Sequence, residues 1–232
     1  MKTEYKEIAG VPAIIIGERS DRVYLFVHGK MGNKKEALRF AEIACPAGFQ
    51  VVGIDLPEHG SRKDSKEKLL PWVVVPELRR VFLCLKEGWR ETRIRANSIG
   101  AWFSMLAAQG EQVQVNKALL VSPIVDMEDL VTSMMKWAGV DEDELKRRGE
   151  IPTAFGETLS WEYLCWVRSH PLVWNVPTEI LYAANDSMTP RSVINSFVAG
   201  SHASLTVMEE GEHWFHTEEQ LHFLGNWEKD KL

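Results

Sequence analysis

Cysteine is scarce in this chain: Cys45, Cys84 and Cys165 are the only three in 232 residues, and no two form a CxxC pair. An odd total at such spacing excludes a disulfide framework, so each thiol is expected to be free and buried in an apolar helix. HExxH and any Cys/His ligand spacing are also missing, and Lys34-Lys35 follows a glycine-bearing loop without the GxxxxGK[ST] pattern. No metal, no P-loop nucleotide and no other cofactor is therefore expected. Basic excess is absent as well, with 27 Lys and Arg interleaved among 33 Asp and Glu for a net charge of −6. That balance argues against a nucleic-acid partner. No apolar run approaches the roughly 20 residues that cross a bilayer. The opening MKTEYKEIAG lacks the basic, apolar, small-residue order of a secretory signal. The expectation is a cytoplasmic protein with no membrane insertion; the sequence leaves its oligomeric state open.

What is present is an ordinary globular composition, 45% hydrophobic and 26% charged, in a length that suits one domain over residues 1–232. Two short extended stretches around Ala9-Gly10 suggest a leading hairpin. The apolar run Val23–Val27 suits a strand buried on both faces. Helical spacing over 34–45, an extended 49–54, a helix over 72–85, an extended 93–96, a helix over 99–108 and an extended 118–121 continue the alternation. Strands alternating with helices of this length imply right-handed crossovers and a mostly parallel sheet. The pattern breaks over 126–170, where no strand is evident, and resumes with strands at 179–183 and 205–207 and helices from Pro190 and Thr217. Residues 126–170 are thus expected to be a small helical cap inserted into an α/β domain.

The sharpest local signal is Ala96-Asn97-Ser98-Ile99-Gly100, a serine between small residues where a strand meets a helix. It resembles the nucleophile elbow of the α/β-hydrolases, G-x-S-x-G, with Ala96 in place of the first glycine. Alone, such a serine reads more readily as a helix N-cap; the strand before it and the helix after it favour the elbow. A second segment, His28-Gly29-Lys30-Met31-Gly32-Asn33, resembles the HG-x-x-G loop of the same superfamily. The resemblance implies an eight-stranded α/β-hydrolase fold and an oxyanion hole made by the backbone N–H groups of Lys30 and Ile99. The stretch Leu181 to Pro190 resembles the segment after the seventh strand, which makes Asp186 the acid; Asp126 is the rival. Of seven histidines, His213 is the first to follow the last strand, as the chain order Ser, Asp, His requires, with His216 as runner-up. Asp55 to Ser61 resembles the D-x-x-G-H-G-x-S loop at the site entrance, whose histidine, His59, is implied to shape the entrance without doing chemistry.

By these motifs the chain resembles bacterial carboxylesterases of the feruloyl and cinnamoyl esterase and monoacylglycerol lipase-like group. The resemblance implies a serine hydrolase with Ser98, Asp186 and His213 as its triad, acting on a small-molecule ester. Met31, Met134, Met135, Trp137, Trp161, Trp166 and Trp214 are expected to line an apolar acyl or aryl pocket, although aromatic residues at helical spacing usually mean packing. An aminopeptidase-like amide hydrolase, a thioesterase and a non-catalytic binding member of the fold are the alternatives.

Overall fold

Strand Arg22–Val27 (β3) shows why the chain forms a sheet covered on both sides: every residue from Val23 to Val27 is buried, and successive side chains point to opposite faces. In the computed structural model, which describes residues 1–110 and 112–232, Tyr24 and Phe26 enter one core and Val23, Leu25 and Val27 the other. Strands Thr3–Ile8 (β1) and Val11–Ile16 (β2) form the leading hairpin. With Gln50–Ile54 (β4), Glu91–Asn97 (β5), Lys117–Val121 (β6), Thr178–Ala183 (β9) and Ala203–Met208 (β10), they make one eight-stranded sheet in the order β1-β2-β4-β3-β5-β6-β9-β10. Only β1 and β2 run antiparallel to their neighbours. The strand that leads into Ser98, β5, is flanked by β3 and β6 and lies inside the sheet.

Helices Ala37–Ala44 (α1) and Glu218–Lys231 (α8) pack on the face of Tyr24 and Phe26; Pro71–Gly88 (α2) and Ser98–Ala108 (α3) cover the other. Helix α3 buries Gly100 through Ala107, with the hydroxyl of Ser104 satisfied by the Gly100 carbonyl at 2.6 Å, so it sits under α2 as a core helix. Helix Arg191–Ala199 (α7) joins β9 to β10.

Between β6 and β9 the chain leaves the sheet. It forms helices Met127–Ala138 (α4), Glu142–Arg148 (α5) and Trp161–Ser169 (α6), and a two-stranded hairpin of Glu150–Pro152 (β7) and Thr158–Ser160 (β8). That hairpin corrects the expectation of no strand here. Each strand is three residues long and buries one side chain, Ile151 or Leu159, too little for a periodic signal. Arg168 on α6 bonds Glu128 on α4 and Glu142 on α5, tying the three helices together. The thiols also differ from expectation. Cys84 and Cys165 are exposed and Cys45 half-buried, because Cys84 lies off the buried stripe of α2 and Cys165 off that of α6.

Candidate active site

Ser98 is the first residue of α3 and has φ +48°, a left-handed conformation rare for a non-glycine residue. The turn is over-determined by its surroundings. A Cβ added to Gly100 would lie 2.2 Å from the His28 carbonyl oxygen and 2.9 Å from that of Val27, so only glycine lets α3 start this close to β3. The Ser98 carbonyl accepts from Ile124 N–H at 3.2 Å, which fastens the turn to the segment after β6.

The turn presents the Ser98 hydroxyl 2.8 Å from His213 Nε2, and His213 Nδ1 lies 2.8 Å from Asp186 Oδ2. Asp186 has a fully buried side chain, and its other oxygen accepts from Met188 N–H at 2.7 Å and Thr189 N–H at 3.1 Å. Thr189 is fixed in turn: its hydroxyl donates to the Pro123 carbonyl and its own carbonyl accepts from Tyr182. An ionised carboxylate only accepts, so Nδ1 of His213 carries the proton and Nε2 turns a lone pair to Ser98. The row therefore has the polarity needed to take a proton from the hydroxyl.

The rival residues are occupied elsewhere. Asp126 caps α4 through the Asp129 N–H and is exposed. Exposed His216 faces the Trp214 carbonyl and Glu212.

Lys30 lies in the loop after β3, and Ile99 directly follows Ser98. Ile99 is the second residue of α3, where a helix has no acceptor for its amide, and the partial positive charge of the helix end adds to that N–H. Lys30 follows Gly29, whose added Cβ would sit 3.2 Å from the Cβ of Ser98, so the loop abuts the turn. Neither amide donates to another group of the described chain.

The loop that carries Lys30 is braced by the segment after β4. Leu56 N–H donates to His28 Nε2 at 3.1 Å, Met31 N–H to His59 Nε2 at 3.0 Å, and Lys34 N–H to Asp55 Oδ1 at 2.8 Å. Burial pushes the His28 imidazole down to about 4, so it is neutral here. Burial alone would raise the Asp55 carboxyl, but hydrogen bonds from Lys34 and Ser61 outweigh it and hold the group below its ordinary range. Lys30 also sends its ammonium to Glu157, in the turn between β7 and β8. Burial, with the Glu157 charge adding to it, pushes the Tyr163 phenol above its ordinary range. The roles of Asp55, Lys34 and Glu157 were not read from the sequence. Lys30 and Glu157 are 127 residues apart, and nothing local marks such a pair.

The seven residues expected to line a pocket divide. Met135 is buried in the main core and Met134 packs against it half-buried. Trp166 meets Trp102 edge-on at 6.1 Å and stacks on His170 at 3.9 Å, while Trp161 lies beneath the Lys146 ammonium. These four are engaged in packing, the use that helical spacing of aromatic residues usually signals. Met31, Trp137 and Trp214 are exposed, at 89%, 54% and 75%, and Trp137 packs edge-on against exposed Phe155.

No protein-family model and no curated protein matches this sequence. Solved structures do match. Est1E from Butyrivibrio proteoclasticus, solved with ferulic acid bound, superimposes with a TM-score of 0.76 at 15% identity, over 98% of this chain and 97% of that one. The alpha/beta hydrolase domain-containing protein 10 from mouse gives 0.75 at 14% identity, over 100% and 98%. The chain has the α/β-hydrolase fold. A soluble variant of the Saccharomyces cerevisiae monoglyceride lipase, in complex with a substrate analog, matches this chain at 0.65 and 13% identity, over 99% and 93%. Feruloyl esterase and monoglyceride lipase structures, the group expected from the motifs, thus stand among the neighbours of its fold.

Proposed function

We propose that the chain is a serine hydrolase, and specifically a carboxylesterase that cleaves small or medium apolar acyl or aryl esters through an acyl-enzyme. The single observation that carries this reading is the row Ser98, His213, Asp186, linked at 2.8 Å and 2.8 Å on a strained strand-to-helix turn. In the reaction, Ser98 Oγ attacks the ester carbonyl carbon while His213 Nε2 takes its proton, and the buried Asp186 carboxylate stabilises the imidazolium. The negative charge gathering on the carbonyl oxygen is met by the N–H groups of Lys30 and Ile99. The tetrahedral adduct then expels the alcohol, which receives the proton from His213 and leaves Ser98 acylated. A water molecule, deprotonated by His213, attacks that acyl group and returns the enzyme to its starting state. Met31 beside Lys30 and Trp214 beside His213 offer apolar surface to the substrate.

A fluorophosphonate probe tests the nucleophile. It is expected to label the folded protein at Ser98 and to leave Ser98→Ala unlabelled; a folded protein that takes up no label overturns the reading. A panel of p-nitrophenyl esters against aminoacyl p-nitroanilides then tests the bond, with turnover expected on the esters.

A further inference from the structure

Residues His28–Asn33 bridge β3 to the short turn before α1 without regular secondary structure. Met31 takes φ +69°, which costs energy for a residue with a side chain. Something must hold that loop if the neighbouring Lys30 amide is to keep one position. The side-chain tie from Lys30 to Glu157 is about half exposed at both ends, and such pairs contribute little. Beside the turn bond from Gly32 N–H to the Gly29 carbonyl at 3.2 Å and the contacts of His28 and Lys34 at the two ends of the loop, the tie next to Lys30 is the Met31 N–H, which donates 3.0 Å to Nε2 of half-buried His59.

His59 is suited to this by its tautomer. Its Nδ1 lies 2.7 Å from the Pro57 carbonyl, which can only accept, so the proton sits on Nδ1 and Nε2 is left as the acceptor that Met31 needs. The residue before it, Glu58, has φ +64° and spends its carboxylate on Leu69 N–H and Lys68, so the brace is itself fixed from outside. His28, with its ring 5.1 Å from that of His59, repeats the pattern: Nδ1 to the Gly29 carbonyl, Nε2 to the Leu56 N–H.

We propose that His59 is a positioning residue for the oxyanion hole: its Nε2 accepts the Met31 N–H and thereby holds the adjoining Lys30 amide against the Ser98 turn. This rests on the serine-hydrolase reading above. A misplaced donor weakens contact with the charged transition state more than with the neutral substrate. Loss of His59 therefore lowers kcat and leaves KM nearly unchanged.

The test compares wild type, His59→Leu and His59→Gln on one p-nitrophenyl ester, with thermal midpoints measured alongside. His59→Leu is expected to lose about tenfold to a hundredfold in kcat, below the roughly 10²–10³ seen when an oxyanion donor is removed outright, with KM within about twofold. His59→Gln, whose amide oxygen reaches about as far as Nε2, is expected to recover most of kcat. A folded His59→Leu with wild-type kcat overturns the inference, and so does a loss confined to KM. If His59→Leu fails to fold, the comparison passes to His59→Gln against His59→Asn, whose shorter amide reaches Pro57 but not Met31; equal kcat in these two overturns it. A wild-type protein that neither takes the probe nor turns over any ester defeats the hydrolase reading instead, so the two failures are told apart.

Discussion

Asp186 divides its carboxylate between two tasks: one oxygen accepts from His213 Nδ1 at 2.8 Å, and the other takes the amides of Met188 and Thr189, which lead into α7. A capping role and the proposed catalytic role are thus not alternatives at this position. Asp186→Asn keeps an acceptor for the two amides but offers His213 an NH2 group, which favours the wrong imidazole tautomer. The expected result is a loss in kcat on the order of 10⁴ with little change in thermal midpoint. A variant within tenfold of wild type would remove Asp186 from the triad.

Gly100 gives a test of the turn that does not depend on chemistry. An alanine there meets two carbonyl oxygens, at 2.2 and 2.9 Å, and both belong to β3 and the loop after it, in the middle of the sheet. Backbone in that position yields poorly. Gly100→Ala is expected to lower unfolding stability by about 1–3 kcal/mol, as overpacked sites do, and to reduce probe labelling of Ser98 in the protein that still folds. Urea denaturation checks the first part and a labelling time course the second.

The elements that position the site were readable because their signals are local. Val23–Val27, buried on both faces, announced itself as an unbroken apolar run, and small neighbours around Ser98 marked a turn that only small side chains permit. Chain order then singled out Asp186 and His213. What stayed hidden depends on contacts between distant segments. The β7–β8 hairpin buries two side chains in six residues, and the ties from Met31 to His59 and from Lys30 to Glu157 form only after β3, β4 and the β6–β9 segment have come together. The apolar residues of that segment left two uses open for a related reason. Helical spacing shows that Met135 and Trp166 face something apolar, and cannot distinguish a core from a cavity.

His28 makes acid stability measurable at one residue. Burial lowers its pKa from 6.5 to about 4, so on acidification the unfolded chain takes up the proton before the folded one does. Its stabilising contribution is complete above about pH 6.5 and is lost as pH falls towards 4, to a total of about 3 kcal/mol. His28→Gln cannot titrate. Between pH 7 and pH 4.5 the wild type is expected to lose roughly 2 kcal/mol more than this variant in urea unfolding. Parallel losses in the two proteins would mean that other groups carry the acid sensitivity.

Arg95 and Glu228 form the complementary case, an ion pair with both side chains 2% exposed, joining β5 to α8 at 2.7 Å. Arg95 also donates to Asn97, next to Ser98, and lies over the rings of Phe26 and Phe40. One oxygen of Glu228 is buried without a partner among the described residues, where the carboxylate's contact is the one to Arg95. Removing the cation strands that charge: Arg95→Met is expected to cost about 3–5 kcal/mol. Replacing both partners, as Arg95→Met with Glu228→Leu, removes the charge along with its partner and is expected to recover most of the loss. The exposed pair Lys30 and Glu157 serves as the control, since Glu157→Gln is expected to change stability by less than about 1 kcal/mol. A double-mutant cycle from urea midpoints decides the matter: a double variant no more stable than Arg95→Met would mean that the arginine matters for its packing on Phe26 and Phe40, not for its charge.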